Sequence, residues 1–246
     1  MSREVLVVKN LNKRYNDNVN YTVKNMSFSC MAGEVVGIVG RNGAGKSTTI
    51  KCITGLHDFE EGQIIINGFD IMQNPIEAKY NIGYVPDVSL AFDKMTGREY
   101  LNFIADIFGI DNDKRAERIE SLDKAFGLGF ALNRLISSYS HGMKQKISVM
   151  ASILPEPDLW ILDEPLTGLD PQTSSVLKKL MQQYAKDGHT VIFSSHNLEV
   201  VEKICDRVII ISEGALVKDL DKNAIDNLGM SLEEYFVTNT FESEEV

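Results

Sequence analysis

The stretch EVVGIVGRNGAGKSTTI (34–50) limits the fold of this chain more than any other part of it. EVVGIV is an almost unbroken apolar run, the pattern of a strand covered on both faces. A glycine-rich turn follows without a gap, and KSTTI opens a helix. Gly40, Gly45, Lys46 and Ser47 fit the spacing G-x-x-x-x-G-K-[ST]. Glycine reaches backbone angles closed to other residues, so successive N–H groups of such a turn can converge into a nest for an anion. The helix that follows aims its positive end at the same place. Lys46 adds a full positive charge suited to β- and γ-phosphates, and the Ser47 hydroxyl is a ligand suited to Mg²⁺.

A Mg²⁺ site of this kind needs a second anchor. LWILDEP (159–165) supplies one, because its apolar strand residues end in Asp163, which can hold the metal through water. Glu164 comes next, at a strand's carboxyl end, where α/β sheets place their ligands. It can orient or deprotonate an attacking water. VIFSSHNLEVVE repeats the layout, with a buried strand running to His196 and Asn197 placed to cap a helix. Taken singly, an Asp-Glu pair is an ordinary surface feature and a histidine an ordinary structural residue. Three strand ends with matching chemistry favour one site.

The rest of the chain follows the same alternation. EVLVV (4–8), QIIIN (63–67), DLWILD (158–163), TVIFSS (190–195) and DRVIIIS (206–212) read as further strands. PQTSSVLKKLMQQYAKDG reads as a helix capped by Asp170, opened by Pro171 and stopped by Gly188. From about residue 88 to 154 the pattern is helical, clearest in TGREYLNFIADIFGI and DKRAERIESLDKAFGL. The expected fold class is therefore α/β: a phosphate-loop core, mostly a parallel sheet with flanking helices plus a small antiparallel β part, interrupted by an α-helical subdomain. The expected divisions are 1–87 and 156–225 for the two parts of the core, 88–155 for the helical subdomain and 226–246 for a tail. That tail starts as an amphipathic turn or two and ends acidic and frayed.

The chain of 246 residues is 43% hydrophobic, enough to bury a sizeable core. Its net charge of −10 argues against a broad nucleic-acid surface. Cys30, Cys52 and Cys205 are widely spaced, fit no zinc pattern and suggest a reducing compartment. MSREVLVVKN lacks the apolar core of a signal peptide. No apolar run approaches the roughly 18 residues needed to span a bilayer, so a membrane role would come through a partner.

The remaining stretch, ISSYSHGMKQKISVMASIL (136–154), puts a Ser-x-Gly at the start of an amphipathic helix. Set in order with Lys46, Asp163–Glu164 and His196, it makes the chain resemble the nucleotide-binding subunit of an ATP-binding cassette (ABC) transporter, over about residues 3 to 220. The family motif Leu-Ser-Gly-Gly-Gln stands here as Tyr139-Ser140-His141-Gly142-Met143, so Ser140 and Gly142 are kept and three positions depart. The variants YSHGMKQ and YVPD are similar to those of bacterial exporter subunits that pair with separate membrane proteins.

The resemblance implies further roles. ATP with Mg²⁺ binds Asn42, Gly43, Ala44, Gly45, Lys46, Ser47 and Thr48, and two subunits, identical or paralogous, close head to tail. Ser140 and Gly142 of one then meet the γ-phosphate held by the other. Tyr15, in KRYNDN, stacks on adenine, although the residues alone also allow an ordinary core or edge aromatic. Asp170 communicates across the dimer, a role compatible with capping its helix. Glu164 activates water, while His196 and Lys46 steady the transferring phosphoryl group. Asp87 stands where the family usually has glutamine. It is a candidate Mg²⁺ contact, and a lobe hinge is the other reading. The implied partners are a transmembrane permease subunit and a second nucleotide-binding subunit, with no nucleic acid, at the cytoplasmic face of the cell membrane. An ABC-type nucleotide switch on ribosomes or DNA is the main alternative. Such relatives carry tandem cassettes with a charged linker, or coiled-coil insertions, which this chain lacks. A GTPase or phosphate-loop kinase is a third reading, against which the Ser140 motif and His196 argue.

Overall fold

The computed structural model describes residues 3–15, 20–87 and 92–241. In chain order it runs β1 (Glu4–Lys13), β2 (Val23–Met31), β3 (Val35–Val39), α1 (Lys46–Ile53), β4 (Glu61–Ile66), β5 (Phe69–Asp70), α2 (Pro75–Tyr80) and β6 (Ile82–Val85). Then come α3 (Gly97–Ile107), α4 (Asn112–Phe126), α5 (His141–Ile153), β7 (Leu159–Leu162), α6 (Pro171–Lys186), β8 (Thr190–Ser194) and α7 (Leu198–Ile204). The chain ends with β9 (Arg207–Ser212), β10 (Ala215–Asp221), α8 (Lys222–Asp226) and α9 (Leu232–Phe241).

Two sheets form. One is six-stranded in the order β10-β9-β3-β8-β7-β6, and all its pairs are parallel except β10 on β9. The other is four-stranded and antiparallel, in the order β2-β1-β4-β5. Alternate residues of the parallel strands face opposite ways, as the two-residue period requires. Val36 and Ile38 of β3, and Leu159 and Ile161 of β7, join one core with α1 and the antiparallel sheet. Val35 and Val39, with Trp160 and Leu162, join the other core with α3 to α7. This double coverage explains why β3, β7 and β8 read as continuous apolar runs rather than alternating ones. It also fixes α1, and with it the glycine turn, between the two sheets.

Differences from the sequence reading concern irregular or short elements. IGYV, absent from the expected strands, is strand β6 at the sheet edge, pairing β7 from Ile82 opposite Leu159 to Val85 opposite Leu162. β2 and β10 extend the sheets where no strand was expected. The tail is more ordered than a turn or two: α9 spans ten residues and starts from a Ser231–Glu234 box, and Leu232 is fully buried. The acidic end (242–246) and the expected start of the helical subdomain at 88 lie outside the described residues. All three cysteines are buried and free, and burial pushes the Cys52 thiol up to about 12. Among the described residues no helix is long and apolar enough to cross a membrane.

Candidate active site

The glycine turn closes on its own backbone. Ala44 N–H donates to Arg41 O at 3.1 Å, and Gly214 N–H to Ala44 O at 3.0 Å, so the turn is tied to the β9–β10 hairpin. Gly45 has φ +104°, and a Cβ there would stand 2.8 Å from Thr22 O, so only glycine fits. Lys46 is buried and donates from Nζ to Gly40 O at 2.8 Å and Arg41 O at 3.2 Å, which centres its ammonium under the turn. Asn42 and Gly43 are exposed along its rim.

β8 lies between β3 and β7, and this order assembles the rest. Ser47 Oγ donates to Asp163 Oδ1 at 3.1 Å, linking the first turn of α1 to the end of β7. Ser194 Oγ, at the end of β8, donates to the same oxygen at 2.6 Å. Asp163 is 1% exposed, and its Oδ2 is buried with no partner among the described residues. A buried carboxylate oxygen without a hydrogen bond is costly. With the Ser47 hydroxyl beside it, this oxygen fits a hard divalent cation.

Glu164 follows with φ +49°, a strained backbone for a non-glycine residue. Its N–H donates to Ser194 Oγ at 2.9 Å, which holds the turn. Its Oε2 lies 2.9 Å from His196 Nδ1, and the histidine side chain is 67% exposed against 17% for the glutamate. A cleft of about 430 Å³ is lined by Gly40, Arg41, Asn42, Ser195, His196, Leu198 and Phe236. The turn and His196 therefore share one opening.

The outlying expected residues fall in two groups. Tyr15 reaches the site, with its hydroxyl 3.3 Å from Thr48 Oγ1, an edge-on contact to His57 at 5.5 Å, and Lys13 Nζ 5.6 Å from its ring centre. Asp87 is exposed beyond the end of β6. Burial first, and then the charges of Asp163 and Asp87, raise the Tyr84 hydroxyl pKa. Ser140 and Gly142 do not line the cleft. Ser140 Oγ accepts from Met143 N–H at 3.3 Å and caps α5. Asp170 caps α6, accepting from Thr173 N–H at 2.9 Å and Thr173 Oγ1 at 2.6 Å. The Thr173 hydroxyl and then its N–H hold the Asp170 carboxyl below its usual range, with help from Lys146. Lys144, in the first turn of α5, pairs with Asp93 at 3.1 Å.

Two polar residues of the site were not foreseen. Ser194 joins Asp163 to Glu164, and its only signal was its place at a strand's carboxyl end. Gln145, 2% exposed, donates from Nε2 to Pro165 O at 3.3 Å. As a polar letter on an otherwise apolar helix face it was visible but unexplained.

A glycine turn between a buried parallel strand and a helix, with an aspartate–glutamate pair ending a strand two places along the sheet, defines a phosphate-loop nucleotide hydrolase. The sequence model of the family described as ABC transporter matches residues 23–167. The chain belongs to that family. It is 35% identical over 217 residues to the ABC transporter ATP-binding protein NatA of Bacillus subtilis, covering 87% of this chain and 88% of that one. It is 33% identical to the SkfA peptide export ATP-binding protein SkfE of the same organism over 88% of this chain and 89% of that one. A solved ATP-binding subunit of an ABC transporter superposes with a TM-score of 0.90 at 32% identity, covering 96% and 99% of the two chains. The chain is accordingly a nucleotide-binding ATPase.

Proposed function

We propose that this chain is the ATP-hydrolysing subunit of a bacterial ABC exporter, driving a separate transmembrane permease from the cytoplasmic face of the membrane. The observation that carries the partner is an exposed apolar face. Met72 and Ile76, with Tyr80 and, across from it, Phe103 and Ile107, are large, apolar and open to solvent. Tyr80 joins the two sides, with its hydroxyl on Ile107 O at 2.8 Å and its ring 4.8 Å from Phe108. Phe92, in the chain between Asp87 and α3, stacks on Tyr100 at 4.5 Å and extends the face toward the site. Contiguous apolar surface of this kind marks a protein partner. Export rather than import is supported by the YSHGMKQ and YVPD variants and by the likeness to a peptide export ATP-binding protein.

In this reading two copies, or this chain and a paralogue, close head to tail over two ATP molecules. The nest of 42–48 holds the phosphates, and Tyr15 meets the adenine. The partner copy supplies its Ser140 and Gly142 at the γ-phosphate. Ser47 and Asp163, with Asp87 beyond them, would hold Mg²⁺, which when bound offsets phosphate charge. Glu164 takes a proton from the attacking water, whose oxygen bonds to the γ-phosphorus as the bond to the bridging oxygen breaks and ADP leaves. Lys46 and His196 stabilise the charge on the transferring group. Hydrolysis reopens the pair, and the lobe movement passes to the permease through the segment from 87 to 96.

Capture from solubilised membranes tests the partner. The chain is expected to retain a protein with about six spanning helices and no ATPase domain, and Ile76→Glu to lose it while keeping nucleotide binding. Recovery of ribosomal or DNA-bound partners instead would overturn the transport reading.

A further inference from the structure

His141 stands where the family motif resembled above has glycine, and its side chain lies against its own chain rather than in the cleft. A Cβ on Gly168 would fall 2.4 Å from His141 Cδ2 and 2.7 Å from Nε2. The imidazole therefore fills the space that glycine leaves, at a residue with φ +76°. Gly168 sits midway in the turn from Glu164 to Asp170, which is built by Thr167 N–H on Glu164 O at 3.2 Å and Leu169 N–H on Leu166 O at 3.4 Å. One helical turn further along α5, on the same face, Gln145 donates to Pro165 O. Lys146 lies close enough to Asp170 to favour its charge. The first turns of α5 thus meet the 164–170 turn near its start and middle.

We propose that His141 is a positioning residue for ATP hydrolysis: its ring, seated on Gly168, couples the start of α5 to the turn that carries Glu164. The inference rests on the head-to-tail reading above. In that dimer, nucleotide in one site presses on Ser140 and Gly142 of the opposite chain. The ring and Gln145 transmit that contact to the Glu164 of that opposite chain, so occupancy of one site sets catalytic geometry in the other. A glycine at 141 has no atoms to carry the contact at Gly168.

A double-mutant cycle at positions 141 and 168 tests this in the full-length chain. His141→Gly is expected to lower kcat about fivefold or more, with KM for ATP and the affinity for a fluorescent ATP analogue within twofold of wild type. The Hill coefficient in ATP should fall toward one. Gly168→Ala, which pushes the ring aside, should lower kcat at least as much. The double variant should be no worse than Gly168→Ala alone, because the alanine has already broken the ring's contact and strained the turn at φ +76°. His141→Phe, which fills the same space without ring nitrogens, should keep at least half of wild-type kcat. Losses that multiply in the double variant, or His141→Phe as inactive as His141→Gly at an unchanged melting temperature, would overturn the positioning role. Wild-type protein that does not hydrolyse ATP, or full turnover by Glu164→Gln, would instead overturn the reading beneath it.

Discussion

Single side chains carry unequal shares of this site, and burial decides which. Lys46 is buried with its ammonium on two carbonyls, so its charge is already desolvated and aimed. Lys46→Ala removes a charged donor worth about 1.5–3 kcal/mol. ATP affinity, read by titration with a fluorescent analogue, is expected to drop about ten- to a hundredfold. Unchanged affinity would contradict the phosphate-nest assignment. Asp163 and Ser194 form the opposite case, a bonded pair whose remaining carboxylate oxygen has no partner among the described residues. His196 is mostly exposed, with Nδ1 on Glu164 Oε2, as suits a residue that meets a ligand rather than a core. Residue types and spacing marked Lys46, Ser47, Asp163, Glu164 and His196 as candidates in the sequence, because three strand ends there carry matching chemistry. Ser194 and Gln145 were hidden because serine and glutamine have many ordinary uses, and only the sheet order reveals what they touch.

At the scale of elements, the helix ends are set by local chemistry. Thr96 opens α3 with a complete capping box: Glu99 N–H donates to Thr96 Oγ1, and Thr96 N–H to Glu99 Oε2 at 2.8 Å. Thr96→Ala should cost about 1 kcal/mol of stability, read from the urea midpoint, and Thr96→Ser should restore most of it. Those bonds, the backbone one foremost, hold the Glu99 carboxyl below its usual range. The contribution of Glu99 is therefore present at neutral pH and is lost as pH falls through that depressed pKa. Helices opened by a side-chain cap, α5 by Ser140 and α6 by Asp170 among them, were readable from sequence. Strand β2 was not. Asn10 of β1, at φ +47°, and Asn25 of β2, at +45°, sit at two successive slips of their pairing, between Val8 and Leu11 and between Leu11 and Lys13. Val23 and Met26 are then both buried three residues apart, which breaks the two-residue period. β6 is too short, at four residues, to show a period at all.

For the whole molecule, two sheets clasp α1 between them, and the parallel sheet delivers Asp163, Glu164 and His196 to the same edge as the glycine turn. The layered α/β class was legible because β3, β7 and β8 are apolar on both faces. The ordered tail was not, because α9 is held by α7, through Leu232 N–H on Glu202 Oε2, and not by a pattern of its own. Ser140 and Gly142 do not line the cleft that holds His196, and a second chain brings them to the phosphate in the mechanism above. Everything in that mechanism passes through one proton, the one Glu164 takes from water. Phosphate release by Glu164→Gln, measured beside wild type at equal nucleotide occupancy, tests it most directly. ATP binding should be retained within about threefold while hydrolysis falls at least a hundredfold, on the order of 3 kcal/mol in the barrier. Turnover near the wild-type rate would contradict it.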